Sequence, residues 1–145
     1  MIENIELTSH LDQLFQKVCV SLQKQRNQLA EKIGISRQQF DVLCLIYEKG
    51  QMTMGELCKE IMSACSTATD LADKLEKAGY VERIRERRDR RVVRLNILPE
   101  GRKAIKDAIE QRQDHLKRII STYDQAELTK IISVLETMAH KFERE

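Results

Sequence analysis

Residues 52–97 have the sequence MTMGELCKEIMSACSTATDLADKLEKAGYVERIRERRDRRVVRLNI. Apolar residues recur at threes and fours over about residues 54–61 and 65–78, the spacing of two helices that each bury one face. Met62 and Ser63 interrupt this spacing, so the second helix is expected to start after a tight turn. The first part of the stretch therefore predicts a helix–turn–helix.

The second part of the stretch changes to the period of a β-strand. Residues 80–85 and 92–97 alternate between apolar and polar side chains, and the polar segment 86–91 joins them. This pattern predicts a β-hairpin directly after the second helix. A helix–turn–helix followed by a basic hairpin is a winged helix.

Further helices flank this core on both sides. The whole chain, residues 1–145, is predicted to be one mainly α domain with a winged helix–turn–helix core over about residues 36–98 and a small two-stranded β wing. Ser36 is expected to cap the helix before the helix–turn–helix, and Gly50 to end it. The additional helices are predicted over about residues 5–33, 37–48, 99–122 and 124–143.

The outer segments 5–33 and 99–143 carry apolar stripes that a domain of this size can hardly cover. As a helix, Leu7 to Leu29 would be roughly 33 Å long, longer than the winged core itself. Pairing with a second copy would bury both stripes, although an antiparallel pair of the two terminal helices within one chain is the alternative. The predicted dimerisation residues are Leu7, Leu11, Leu14, Val18, Leu128, Ile131, Leu135 and Met138.

Positive charge is concentrated in the predicted hairpin. Residues 83–94 contain seven arginines against Glu86 and Asp89, a net charge of +5, whereas the whole chain has a net charge of +2. Residues 51–82 have a net charge of −3. A local excess of arginine can neutralise DNA phosphates, although a solvated hairpin without a partner would look the same.

Several other classes of protein are disfavoured. The longest apolar run, residues 42–47, is far shorter than the roughly 20 residues that span a bilayer. Residues 1–10 do not resemble a secretory signal, and the cysteines form no CxxC pair, so we expect a cytoplasmic protein with reduced thiols. The three histidines are scattered and no nucleotide-binding or metalloprotease motif occurs, so we expect no enzyme, no metal site and no cofactor.

Over nearly its full length the sequence resembles the MarR family of bacterial transcription regulators. No single matching segment is specific, but their order and spacing together are. The segments are Gln39-Phe40-Asp41-Val42-Leu43, Met52-Thr53-Met54-Gly55-Glu56-Leu57, Ser66-Thr67-Ala68-Thr69-Asp70-Leu71, the run from Asp73 to Arg83, and Asp89-Arg90-Arg91 with Leu95 and Gly101.

The resemblance implies a homodimer that binds double-stranded DNA. Each subunit would place its recognition helix, about residues 65–78, in a major groove and its wing in the neighbouring minor groove. Arg91 matches the family's minor-groove arginine and Asp89 the acid that braces it, although Asp89 could also simply stabilise the turn. The predicted DNA-binding residues are Ser63, Ser66, Thr67, Thr69, Asp70, Lys74, Arg88, Asp89, Arg90 and Arg91.

Two departures from the family's pattern concern the recognition helix. The family often has a basic residue where this chain has Asp70, which would either accept a hydrogen bond from a cytosine amine or repel DNA unless an arginine neutralised it. Ala64 stands where a capping serine is common, so Ser63 or Ser66 is expected to cap the helix.

How DNA binding would be controlled is left open. The resemblance favours a small, often phenolic, effector that binds between the dimerisation helices and the winged core and releases a repressor from a pseudo-palindromic operator. A second hypothesis is a thiol-based sensor of oxidants or electrophiles that uses Cys19 or Cys65, the latter at a predicted helix N-terminus. A third is a dimeric adaptor that does not bind DNA.

Overall fold

The computed structural model describes residues 2–144 and confirms a mainly α protein with a winged helix–turn–helix. The chain divides into two compact units, of which the first ends at Ala108 and the second begins at Ile109, within the last helix but one. In chain order the elements are α1 (Ile2–Lys32), α2 (Arg37–Lys49), β1 (Met52–Thr53), α3 (Met54–Glu60), α4 (Cys65–Lys77), β2 (Val81–Arg85), β3 (Val93–Ile97), α5 (Pro99–Ile120) and α6 (Gln125–Phe142).

Reciprocal side-chain caps fix the starts of α2 and α3. The Ser36 hydroxyl accepts a hydrogen bond from the Gln39 N–H, and the Gln39 side chain accepts one from the Ser36 N–H at 2.7 Å. Thr53 and Glu56 form the same capping box at α3, where the hydrogen bond from the Thr53 N–H lowers the pKa of Glu56. Gly50 ends α2 with a φ of 82°, so the predicted cap and stop of this helix are both confirmed.

The core of the first unit lies where α2, α3, α4 and the sheet meet. These side chains are apolar and almost completely buried, as the spacing in the sequence requires. They include Phe40, Leu43, Ile46, Leu57, Leu75, Val81 and Leu95. The end of α1 joins this unit through Leu29 and Ala30, both buried, and through a hydrogen bond of 2.9 Å from the Tyr80 hydroxyl to the Ile33 carbonyl.

The sheet has one more strand than the sequence predicted. β2 and β3 pair antiparallel, with Val81 opposite Ile97, and form the predicted wing. β1, only two residues long, pairs with the other edge of β3, where Met52 lies opposite Leu95. Two residues are too few for a recognisable alternating pattern. This third strand ties the segment before α3 to the base of the wing.

Gly101, part of the motif that suggested the family, lies in the first turn of α5, against Tyr80, the residue that precedes β2. A Cβ atom at this position would be 2.3 Å from the Tyr80 carbonyl oxygen and 3.1 Å from Cγ1 of Ile97. That carbonyl already accepts a hydrogen bond from the Leu98 N–H at 2.9 Å. Glycine is therefore required by the close approach of two backbone segments.

Long apolar stripes remain exposed on the outer helices of both units. On α1, the predicted dimerisation residues Leu7, Leu11, Leu14 and Val18 are between 43% and 62% exposed. On α6, Ile131 and Leu135 are exposed, while Leu128 and Met138 are half-buried. Contiguous apolar surface of this extent is typical of an interaction site.

We predict that Gly101→Ala destabilises the protein by about 1–3 kcal/mol, because the new methyl group overlaps backbone atoms that cannot move independently. Urea unfolding at a fixed protein concentration measures the change. The control is Gly55→Ala, because the nearest atom to a Cβ there is the Thr53 hydroxyl oxygen at 3.9 Å. Equal stability of the two variants would contradict the prediction.

Candidate nucleic-acid interface

The recognition helix α4 buries one face and exposes the other. Ala68, Leu71, Ala72 and Leu75 are buried in the core of the first unit. The opposite face lies in solvent, where a DNA groove could reach it. The predicted DNA-contacting residues on and before this helix are all exposed, namely Ser63, Ser66, Thr67, Thr69, Asp70 and Lys74.

The start of α4 differs from the expectation that Ser63 or Ser66 caps it. The N-cap is Ala64, which has no side chain able to accept the hydrogen bond. Ser63 instead donates to the Ile61 carbonyl at 3.3 Å, and Ser66 lies one residue inside the helix. The prediction of a serine cap was wrong, because Met62, with a φ of 50°, turns the chain so that the extended residue before the helix is Ala64.

Thr69 shows its methyl group, rather than a free hydroxyl, to solvent. Its hydroxyl donates a hydrogen bond of 2.8 Å to the Cys65 carbonyl, one turn back along α4. This bond uses the hydroxyl proton and fixes the rotamer of the side chain. The group that Thr69 can offer to a base edge is therefore chiefly apolar.

The negative charge of α4 is compensated by local cations. Asp70 pairs with Lys74 one turn later, with Nζ and Oδ2 2.7 Å apart. Arg83 of β2 pairs with Asp73 at 2.6 Å and with Glu76 at 3.2 Å, and its backbone N–H also donates to Glu76. The cation beside Asp70 is therefore a lysine and not the arginine expected from the sequence, and the hydrogen bond from a cytosine amine to Asp70 stays a prediction.

The tip of the wing is held by a fork between Asp89 and Arg91. The Arg91 Nε donates to Oδ1 at 3.1 Å and its Nη2 to Oδ2 at 3.3 Å, and the Arg91 backbone N–H donates to the same carboxylate. These bonds, the side-chain bonds first, lower the pKa of Asp89. The Arg91 side chain is 92% exposed, so the guanidinium is oriented yet open to solvent. Asp89 therefore braces the arginine and stabilises the turn at once.

Two side-chain contacts connect the two sides of the hairpin below its tip. Arg94 donates to Glu86 at 2.5 Å, and the Asn96 amide donates to Glu82 at 3.0 Å. Arg88 and Arg90 are exposed, and in the part of the chain that the structure describes neither has an ion pair. Among the predicted basic residues of the wing, Arg91 is paired with Asp89, whereas Arg88 and Arg90 leave an excess of positive charge at the tip.

A half-open cavity of about 370 Å³ lies beside α4, against α2 and the turn between α3 and α4. Its apolar wall includes Val42, Leu45 and Leu71, and Gln38 and Thr67 contribute polar groups. Thr67 is also one of the predicted DNA-contacting residues. A small molecule in this space would therefore touch the recognition helix directly.

The cysteines lie in three different environments. Cys19 is exposed on α1, and Cys44 is buried in α2. Cys65 is exposed at the first residue of α4, as the sequence predicted. The neighbouring Cys65 thiol, followed by burial, raises the pKa of the half-buried Cys58 on α3. Sequence reasoning missed Cys58 as a neighbour, because only the turn brings these two positions together.

Two other kinds of site are absent from the described part of the chain. Among residues 2–144, no three histidine, cysteine or acidic side chains are grouped so that they could hold a metal ion. None of the helices in that range is both long and apolar enough to cross a membrane.

Comparison with known proteins gives consistent matches. A family model described as MarR family matches residues 35–93. The uncharacterized HTH-type transcriptional regulator YsmB of Bacillus subtilis (strain 168) is 31% identical over 140 residues, which cover 97% of this chain and 96% of that protein. The HTH-type transcriptional repressor MdtR of the same organism is 25% identical over 143 residues, covering 99% of this chain and 88% of that protein.

A solved structure agrees with these matches. A MarR family protein from Bacillus stearothermophilus has a TM-score of 0.88 and 28% identity, and the likeness covers 95% of this chain and 96% of that one. The segment matched by the family model contains α2, α3, α4 and the wing tip, so it includes every predicted DNA-binding residue from Ser63 to Arg91.

Proposed function

This chain belongs to the MarR family of HTH-type transcriptional regulators, and we propose that it is a homodimeric repressor that binds a pseudo-palindromic duplex operator in the cytoplasm. The observation that carries the proposal is the Asp89–Arg91 fork on the exposed wing tip. An arginine held by a carboxylate, with its outer face open, is prepared to enter a groove without losing much side-chain freedom.

The wing supplies affinity through the minor groove. The narrow minor groove of A·T-rich DNA has an enhanced negative potential that attracts arginine. Arg91 would enter this groove, while Arg88 and Arg90 neutralise phosphates on either side. Each neutralised phosphate releases counterions, so this part of the binding depends on salt and only weakly on sequence.

The exposed face of α4 supplies the choice of bases in the major groove. Thr67 and the Thr69 methyl group can touch a thymine methyl, and Ser66 can donate to a phosphate or a base edge. The Asp70 carboxylate retains an oxygen that can accept from a cytosine amine while Lys74 screens its charge.

The exposed stripes on α1 and α6 support a dimer. α1 has 31 residues, so it is about 46 Å long, and its apolar residues from Leu7 to Val18 are exposed in a single chain. A second copy can cover such a stripe with its own. Two recognition helices would then read half-sites about 34 Å apart, one turn of DNA.

A small effector would release the repressor from its operator. The family resemblance implies that this effector is an aromatic or phenolic compound. A ligand changes the spacing of two recognition helices only if it binds the two arrangements with different affinity. The cavity beside α4 is lined by α2, the end of α3, the turn and α4 and by neither predicted dimerisation segment, so it is a different place from the effector site that the resemblance implies. MdtR, which is 25% identical to this chain, is named a repressor, and this supports repression rather than activation.

Selection of the reduced protein on a randomised duplex pool, at moderate salt, tests the proposed function. We expect an enriched inverted repeat whose half-sites are centred about one helical turn apart, because a two-fold dimer presents two identical recognition helices. Enrichment of a single half-site would contradict the dimer. Absence of enrichment would favour the alternative of a dimeric adaptor that does not bind DNA.

We predict that Thr69→Ser changes the preferred base at one position of each half-site, whereas Thr69→Val does not. Valine keeps the methyl group and loses only a hydroxyl that is bonded to the Cys65 carbonyl, while serine loses the methyl group. The same selection, repeated on both variants, measures the preference. Equal profiles for serine and threonine would show that Thr69 does not read a base.

We predict that Arg91→Ala weakens binding to every duplex and makes the salt dependence shallower, by about 0.9 in the slope of log K against log salt for each phosphate that the variant no longer neutralises. Titration of operator and random duplexes at several salt concentrations measures both. Lys130→Ala, on the exposed surface of α6, is the matched control for removal of one positive charge. An unchanged slope in Arg91→Ala would show that the wing does not touch the DNA.

A further inference from the structure

The cavity beside α4 combines an apolar wall with carboxylates. Val42, Leu45 and Leu71 supply apolar surface, and Asp41 and Glu60 also line the space of about 370 Å³. Among the described residues, no lysine or arginine belongs to the lining. Pockets that bind small molecules typically have an apolar lining and a few polar groups that fix the orientation of the ligand. This lining therefore favours a flat apolar molecule that carries hydrogen-bond donors and a positive charge.

The two acids of the lining differ in how fully they are paired. Glu60 accepts a hydrogen bond from the Lys49 ammonium group at 2.6 Å. Asp41 has Oδ1 2.7 Å from Nη2 of Arg26 and Oδ2 3.5 Å from Nε of Arg37, the latter too long for a strong hydrogen bond. In the described part of the chain, the buried Oδ1 of Asp41 accepts no hydrogen bond and the buried Nε of Arg26 donates none. Asp41 is thus the acid with unused acceptor capacity.

We propose that this cavity binds a planar aromatic cation, whose amidinium or guanidinium head forms a fork with the Asp41 carboxylate while its rings lie against the apolar wall between α2 and α4. A carboxylate pairs with such a head through two parallel hydrogen bonds, which would give each Asp41 oxygen a donor. The site differs in place and in charge from the effector site that the family resemblance implies. Neither dimerisation segment lines it, and a phenolate or carboxylate ligand would meet two acids.

The ligand can displace the arginines at low cost. The side chains of Arg26 and Arg37 are 37% and 41% exposed, so each guanidinium can be hydrated when it leaves Asp41. Ion pairs with this exposure contribute little to stability. The rings of the ligand add a favourable contribution, because they remove apolar surface of the cavity from water. Exchange of partners at Asp41 is therefore favourable for a cation with an apolar body.

Occupation of the cavity would also loosen one link between two helices. Arg26 belongs to α1 and Asp41 to α2, so their ion pair joins these helices. Leu29 and Ala30 are buried and would keep the end of α1 in the core. The ligand would thus free the turn of α1 around Arg26 without detaching the helix. Neither the binding nor this release depends on whether the chain binds DNA.

Three probes of one shape test the charge of the ligand. They are naphthalene carboxamidinium, the neutral naphthalene carboxamide and naphthalene carboxylate, each titrated into the full chain without DNA and followed by NMR of the backbone amides. We expect the cation to bind about tenfold or more tightly than the amide, as a charge-assisted hydrogen bond requires, and the carboxylate to bind more weakly than the amide. The shifted signals should cluster around Gln38, Leu45, Ile61 and Thr67.

Three outcomes of this titration would overturn the proposal. The first is that the cation shows no saturable binding, and the second is that the carboxylate binds as tightly as the cation. The third is that the shifted signals lie in the dimerisation segments instead of the cavity lining, because the ligand would then occupy a different site.

Substitution of Asp41 tests the anchoring group. Asp41→Asn keeps the shape of the side chain and removes its charge, so we expect the cation to bind no more tightly than the amide, while the affinity of the amide itself shows that the cavity is intact. Asp107→Asn, on the exposed surface of α5 and outside the lining, is the matched control and should leave the preference for the cation unchanged. An unchanged preference in Asp41→Asn would overturn the proposal, and so would an equal loss in the control.

Substitution of the competing arginines tests the exchange of partners and does not remove Asp41. Arg37→Gln should bind the cation about twofold or more tightly, because one competitor for the carboxylate is gone; an affinity that does not rise would contradict displacement. Amide hydrogen exchange then measures the release of α1. We expect severalfold faster exchange in residues 20–28 of the saturated protein, and the same in ligand-free Arg26→Gln. Unchanged exchange in both would overturn the link between the cavity and α1.

Discussion

The candidate interface depends on holding α4 firmly from one side only. On one face of α4, its side chains Ala68, Leu71, Ala72 and Leu75 are buried in the core of the first unit. The opposite face, which is proposed to contact a DNA groove, must stay open to solvent. Arg83 adds the polar part of this support, because it joins the β2 strand to Asp73 and Glu76 of α4 through side-chain and backbone bonds. The same contacts position the wing relative to the helix. Packing and ion pairing therefore fix the two DNA-facing elements as one body.

The regular elements could be predicted because each leaves a local pattern in the sequence. Helices α2 and α4 show one-sided apolar spacing, the wing shows alternation, and Ser36 and Gly50 mark the ends of α2 by their chemistry. The exposed positions of the DNA-facing residues followed from the same periodicity. The arginine–aspartate motif of the wing came from the family resemblance, and its fork geometry agrees with the role that the family assigns.

Strand β1, the start of α4 and the contacts between elements could not be predicted, because they depend on the tertiary fold. β1 is a strand only because β3 offers a free edge to Met52 and Thr53. The start of α4 follows from the left-handed backbone of Met62, which no propensity for methionine indicates, so the helix begins without the serine cap that the sequence suggested. The ion pairs of Arg83 join residues on different elements, β2 and α4. Their sequence positions carry no signal of the pairing.

Affinity and base choice are assigned to different parts of this surface, and that division explains how an acidic recognition helix can serve a DNA-binding protein. In the proposed function, the cationic wing tip would attract phosphates and the minor groove whatever the base sequence. α4, with its acids paired to Lys74 and Arg83, can contribute shape, a methyl group and hydrogen bonds without adding unspecific attraction.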